Sequence, residues 1–201
     1  MNHPTLTRRG FITAGATGAA AVVALGLGAC TTTGSSAPDD KADRRREIDS
    51  GVDGALTKLY GQSAGAKALG DRSNGILVFP RVLAGGFIVG GEYGDGALRV
   101  AGQRQSQGYY RTISGSFGLL AGGQSKAVIL MFMTPSALDK FVKSSGWKAG
   151  VDASVAVAKI GANGELDTET GKQEVVGFVL TNAGLMANVS LEGAKISKLD
   201  L

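Results

Sequence analysis

From Gly75 onward the chain is a series of short apolar runs interrupted by glycine, and this texture limits the fold more than any other feature. Ile76 to Phe79, Gly85 to Gly94 (GGFIVGGEYG), Leu98 to Ala101, Tyr109 to Ile113, Phe117 to Leu120 and Ala127 to Phe132 are the length of strands. Pro80 is expected to stop the first of them, and Asp95-Gly96 to form a hairpin turn. Val151, Val155 and Val157 alternate with smaller residues ahead of a second expected hairpin at Asn163-Gly164. Val175 to Leu180 and Leu185 to Leu191 complete the set. Of the 32 glycines in the chain, many fall inside these runs, where glycine marks bulges, tight bends or close backbone approach. The expected architecture is therefore α+β, with a strongly curved, mainly antiparallel sheet or partial barrel.

Two helices are expected beside the sheet. Ile48, Val52, Leu56 and Leu59 recur at spacings of four, four and three, which sets them on one face of a helix over about Asp43 to Leu69. That face lacks the Trp and Phe of interfacial helices, so it is expected to dock on the core rather than enter lipid. Thr134-Pro135 has N-cap and N1 chemistry, Leu138, Phe141 and Val142 share a face, and Gly146 follows. A second helix is expected over about Pro135 to Ser145. Arg44, Arg45 and Arg46 invite a phosphate-binding reading, but with Lys41 they face Asp39, Asp40, Asp43 and Glu47, four against four. Such mixed charge runs are usually solvated surface.

The N-terminus carries an address. Arg8 and Arg9 precede Phe11 and a weakly apolar run from Ala14 to Ala29, the order of an export signal with twin-arginine character. The run closes on Leu27, Gly28, Ala29 and Cys30, which resembles a bacterial lipobox, with Cys30 as the acylated (palmitate-type) residue. It is shorter than the roughly 20 apolar residues of a membrane span and is diluted by Gly and Thr. The expected organisation is a signal peptide at 1–29, a lipidated cysteine and polar linker at 30–42 (TTTGSSAPDD over Thr31 to Asp40), and a domain at 43–201. Thr31 stands where an aspartate favours inner-membrane retention in enteric sorting, so the expected location is the outer membrane, facing the periplasm. An uncleaved helix and an ordinary signal peptide are the alternatives.

Processing before Cys30 narrows the chemistry. Removing 29 of 201 residues leaves 172, and the 21 Lys and Arg fall to 19 against 17 acids, so a formal charge of +4 becomes +2. His3, the only histidine, is lost, and the only cysteine is acylated. Ser-His-Asp and Cys-His catalysis, Cys and His zinc sites and internal disulfides are excluded within such a chain. Glu92, Asp152 and Glu192 are the acids in turn-like contexts, but nothing fixes their separation and they read as turn or edge residues. Gly90, Gly91, Gly94 and Gly96 lack the GKS or GKT ending of a phosphate loop. Trp147 reads as a core or interface anchor. No enzyme activity, metal or cofactor is expected.

The segments GILVFPRVLAGGFIVGGEYGDG (Gly75 to Gly96), SGWKAGVDASVAV (Ser145 to Val157) and GLMANVSLEGAKI (Gly184 to Ile196) resemble the bacterial branch of the SYLF lipid-binding domain family. The resemblance runs from about Asp43 to Leu199 and implies an α+β domain that binds phospholipid. Eukaryotic members bind phosphoinositides, and some regulate actin, a role with no target in a bacterial envelope. Where those relatives begin with a membrane-inserting helix, this chain has a lipobox and a polar linker, so neither the phosphoinositide preference nor the mode of insertion transfers.

Charge gives an independent pointer to lipid. Arg99, Arg104, Arg111, Lys126, Lys140, Lys143 and Lys148 face one acid, Asp139, whereas the chain after Lys148 carries four lysines against seven acids. A basic face attracts anionic headgroups at about 1 kcal/mol per cation. Tyr109 and Tyr110, inside the basic stretch, have rings suited to the headgroup level. The expected function is that of a non-catalytic lipid-anchored envelope protein whose domain binds anionic phospholipid through this stretch, with no nucleic-acid partner. The alternative is a structural lipoprotein that holds a protein partner, and convergence of the seven cations decides between a patch and scattered charge.

Overall fold

The computed structural model describes residues 38–86, 89–103, 105–117, 124–158, 172–186 and 190–201. Contacts divide the chain after Ser35, and the described residues all fall in the second unit, Ser36–Leu201. They form helices α1 (Pro38–Gln62), α2 (Ala64–Arg72) and α3 (Pro135–Lys143). The strands are β1 (Gly75–Gly86), β2 (Val89–Val100), β3 (Ser106–Phe117), β4 (Gln124–Phe132), β5 (Trp147–Lys148), β6 (Val155–Val157), β7 (Val175–Thr181), β8 (Gly184–Met186) and β9 (Lys195–Leu199).

All nine strands join one curled sheet in the order β5, β9, β3, β2, β1, β4, β7, β6, with β8 folded onto β7. Every pair is antiparallel except β6 with β7. The fold is the expected α+β, with a helix first. Because strand side chains alternate between faces, the central strands feed two core layers at once. Leu77, Phe79, Leu98, Leu130 and Phe132 pack under α3 with Phe141 and Trp147. Val78, Ala97, Ile129, Met131 and Phe178 pack under α1 and α2 with Ile48, Val52 and Leu59. Both layers lie inside Ser36–Leu201, so this unit contains the whole described core.

Several sequence expectations are corrected. The first helix begins at Pro38, inside the expected linker, and breaks at Ser63. Ser63 is extended, and its Oγ accepts from the Ala66 N–H at 3.1 Å, so it caps α2. Pro80 does not end β1. The register shifts at this point against both neighbours, between Val78 and Arg81 with β2 and between Phe79 and Val82 with β4. A proline has no N–H to donate, and a bulge is where a central strand tolerates that loss. Asp95-Gly96 is not a turn but lies in mid-β2, opposite the bulge. A Cβ at Gly96 would sit 2.6 Å from Phe79 Cδ1 and 2.8 Å from the Val78 carbonyl carbon, so glycine permits a close backbone approach. β9 forms a further strand beyond the expected last one. Asn163-Gly164, residues 118–120 of the Phe117 run and part of the Leu185 run lie outside the described residues.

Candidate functional site

The helix α1 crosses the sheet, and its polar positions fix it there. Arg45 lies over the Tyr109 ring at 6.0 Å, and Tyr109 Oη donates to Asp49 at 2.9 Å. Asp49 and Asp53 hold Arg99 at 3.6 and 3.1 Å. Gly51 faces Pro80, where a Cβ would be 2.9 Å from the proline ring, so the helix seats directly on the β1 bulge.

Beyond the helix, β1, β2 and β3 project one open face. The ladder places Leu83 opposite Tyr93, and Tyr93 opposite Ile113, so the three side chains form a row across adjacent strands. They are exposed by 52, 41 and 53%. Lys195 of β9 pairs with Ile113 and extends the row with a cation. The next row outward is Gly85, Gly91 and Gly115, all exposed, which leaves bare backbone beside the apolar row.

The row inward is charged. Arg81 is the ladder partner of Asp95, which is the partner of Arg111. Arg111 Nε and Nη2 donate to Asp95 at 2.8 and 3.2 Å, and Arg44 of α1 donates to the same carboxylate. The Arg111 guanidinium also stacks over the Tyr93 ring at 4.8 Å. Burial opposes the charge of Asp95, but the hydrogen bonds from Arg111 and Arg44 outweigh it and hold its pKa below the ordinary carboxyl value. The same hydrogen bonds raise both arginines. A groove of about 660 Å³ between α1 and this end of the sheet is lined by Arg44, Arg81, Leu83, Tyr93 and Asp95, among others.

The six described cations of the basic stretch do not converge on one face. Arg99 and Arg111 lie on the α1 face, each against acids. Lys126 points to the other face, where it pairs with Glu92 at 2.7 Å. Lys140 and Lys143 are exposed on α3, with Lys143 at 3.5 Å from Asp139, and Lys148 is exposed on β5. Arg104 lies outside the described residues, as do Arg8, Arg9 and Cys30. Tyr110 is corrected outright: it is 4% exposed and packs on Phe141 at 4.8 Å, because its position in β3 points into the α3 core layer. Two of the three candidate carboxylates already have partners. Glu92 is bound by Lys126 and Ser114, and Asp152 caps the Lys148 N–H at 2.6 Å. No three metal-ligating side chains cluster among the described residues.

The apolar row and Arg81 escaped the sequence reading. The signal for them is the alternation Arg81, Leu83, Gly85 after Pro80, which is hidden once Pro80 is read as a strand end.

Residues 113–200, from the second half of β3 through β9, match the model of the Ysc84 family, described as a Las17-binding protein actin regulator. The match supports the resemblance to SYLF domains and includes two of its three segments. No curated protein matches the chain.

Proposed function

We propose that the chain is a non-catalytic, lipid-anchored protein of a bacterial envelope, held at the outer membrane by acylated Cys30, whose folded unit binds anionic phospholipid. The observation that carries this reading is the exposed row Leu83, Tyr93 and Ile113 with Arg81, Arg111 and Lys195 around it. An exposed apolar patch rimmed by polar groups marks an interaction site. Aliphatic and tyrosine side chains flanked by cations match the boundary between acyl chains and headgroups. The family match over residues 113–200 accords with the resemblance to SYLF lipid-binding domains, which is where the lipid precedent comes from. One acyl chain gives only marginal anchoring, about 10⁴ M⁻¹. A fully processed lipoprotein carries three, so contact by the folded unit serves headgroup sensing or a facing membrane rather than attachment.

Co-sedimentation of residues 36–201 with neutral and anionic vesicles tests this. Binding is expected to require anionic lipid, weaken with salt, and drop when Tyr93 and Ile113 are changed to aspartate in a protein that melts normally. Failure of the unchanged protein to sediment with either vesicle would overturn the reading. The second reading, a structural lipoprotein holding an envelope protein, is favoured by the bare row Gly85, Gly91 and Gly115, where open space lets a partner's backbone approach.

A further inference from the structure

Two guanidiniums from different elements converge on Asp95, and a third, Arg81, stands beside it in the ladder. The Asp95 side chain is only 9% exposed, and both its oxygens are taken: Oδ1 by Arg111, Oδ2 by Arg111, Arg44 and the Tyr93 hydroxyl. Among the described residues, no other acid pairs with Arg44, Arg81 or Arg111. Three cations against one carboxylate leave two positive charges. Each guanidinium has five donors. Arg111 spends two on Asp95 and Arg44 one, so most remain for a ligand. Asp95 thus acts as an internal strut: it fixes two arginine side chains before any ligand arrives, which removes much of the ordering cost of binding. Tyr93, under Arg111, fixes the third side of the arrangement.

We propose that Arg44, Arg81 and Arg111 around Asp95 form an anion site that takes a phosphomonoester dianion in preference to a phosphodiester. The charge count selects the ligand. A phosphomonoester carries close to two negative charges at neutral pH and three acceptor oxygens, whereas a phosphodiester carries one charge and two free oxygens. The other charged groups at the groove leave that balance unchanged, since Lys58 and Glu47 offset each other, and the Lys126 side chain turns to the opposite face, where Glu92 neutralises it. The source of the phosphate is either a lipid headgroup or a free phosphate ester. The headgroup alternative rests on the lipid-binding reading.

The test compares residues 36–201 on vesicles containing phosphatidate or phosphatidylglycerol at matched surface charge, with glycerol 3-phosphate titrated calorimetrically in the absence of vesicles. A preference for phosphatidate on the order of tenfold is expected from the additional charge-assisted hydrogen bonds. Arg81→Ala, at an exposed position without an ion pair among the described residues, is expected to bring that ratio close to one. Arg44→Ala is expected to do the same. Equal binding of the two lipids by the unchanged protein, with no heat from glycerol 3-phosphate, overturns the anion site and leaves general lipid binding intact. Glycerol 3-phosphate binding without vesicle binding supports the site and refutes the lipid reading. Phosphatidate preference without glycerol 3-phosphate binding supports the site and assigns the phosphate to a headgroup.

Discussion

Gly96→Ala puts the close approach of β1 and β2 to a direct test. The added Cβ would meet Phe79 Cδ1 at 2.6 Å and the Val78 carbonyl carbon at 2.8 Å. Carbon atoms in contact prefer about 3.5–4.0 Å, so roughly 1 Å must open between strands paired on both sides of the bulge. Backbone cannot rotate away as a side-chain tip can. The cost is therefore expected at the upper end of the overpacking range, about 3 kcal/mol. Gly115→Ala is the control, since nothing lies within 4 Å of its Cβ position. It is expected to be neutral or to stabilise by up to about 1 kcal/mol, through reduced freedom of the unfolded chain. The two melting temperatures should differ by at least about 6 °C for a unit of this size. Urea unfolding followed by fluorescence of Trp147, the only tryptophan and 1% exposed, gives the free energies directly. A Gly96→Ala protein within about 0.5 kcal/mol of both the parent and the control would refute the close approach.

Three further outcomes follow from the packing and the electrostatics. Phe141→Ala removes the ring that joins Tyr110, Phe132 and Trp147, and is expected to cost about 3–5 kcal/mol in the same urea assay. Thr134→Ala deletes the α3 cap, whose Oγ1 accepts from the Ala137 N–H at 3.2 Å, and is expected to cost about 1 kcal/mol by thermal melting. Asp95 has a folded pKa below its ordinary value of 3.8, so its contribution is present above that value and is lost as pH falls through the folded one. Asp95→Asn should therefore be less stable than the parent near neutral pH and converge on it as pH falls below 3.8, and a constant gap across a pH series would exclude an ionised Asp95 as the cause.

The strand-rich, glycine-broken texture and the two helical stripes were legible because each is a local pattern: period two, period 3.6, and a cap at Thr134. The buried face Ile48, Val52 and Leu59 is the expected one. Local rules misread the places where a tertiary contact reassigns a residue. Pro80 reads as a stop until a bulge against two neighbours absorbs its missing N–H. Asp95-Gly96 reads as a turn until the neighbouring strand is seen to need the space of a side chain.

What the sequence by itself determined is the fold class and the place of the helices before and beside a curved sheet, since these depend on periodicity and composition. Which cations stand together was decided by the tertiary structure alone. Arg44 and Arg111 are 67 positions apart in sequence and meet on one carboxylate because α1 crosses the sheet at β2. Lys126 and Tyr110, inside the same basic stretch as Arg111, turn to the opposite face because strand side chains alternate. Charge along a chain is a sum over neighbours in sequence, whereas a binding face is a sum over neighbours in space, and the strand register converts the first into the second.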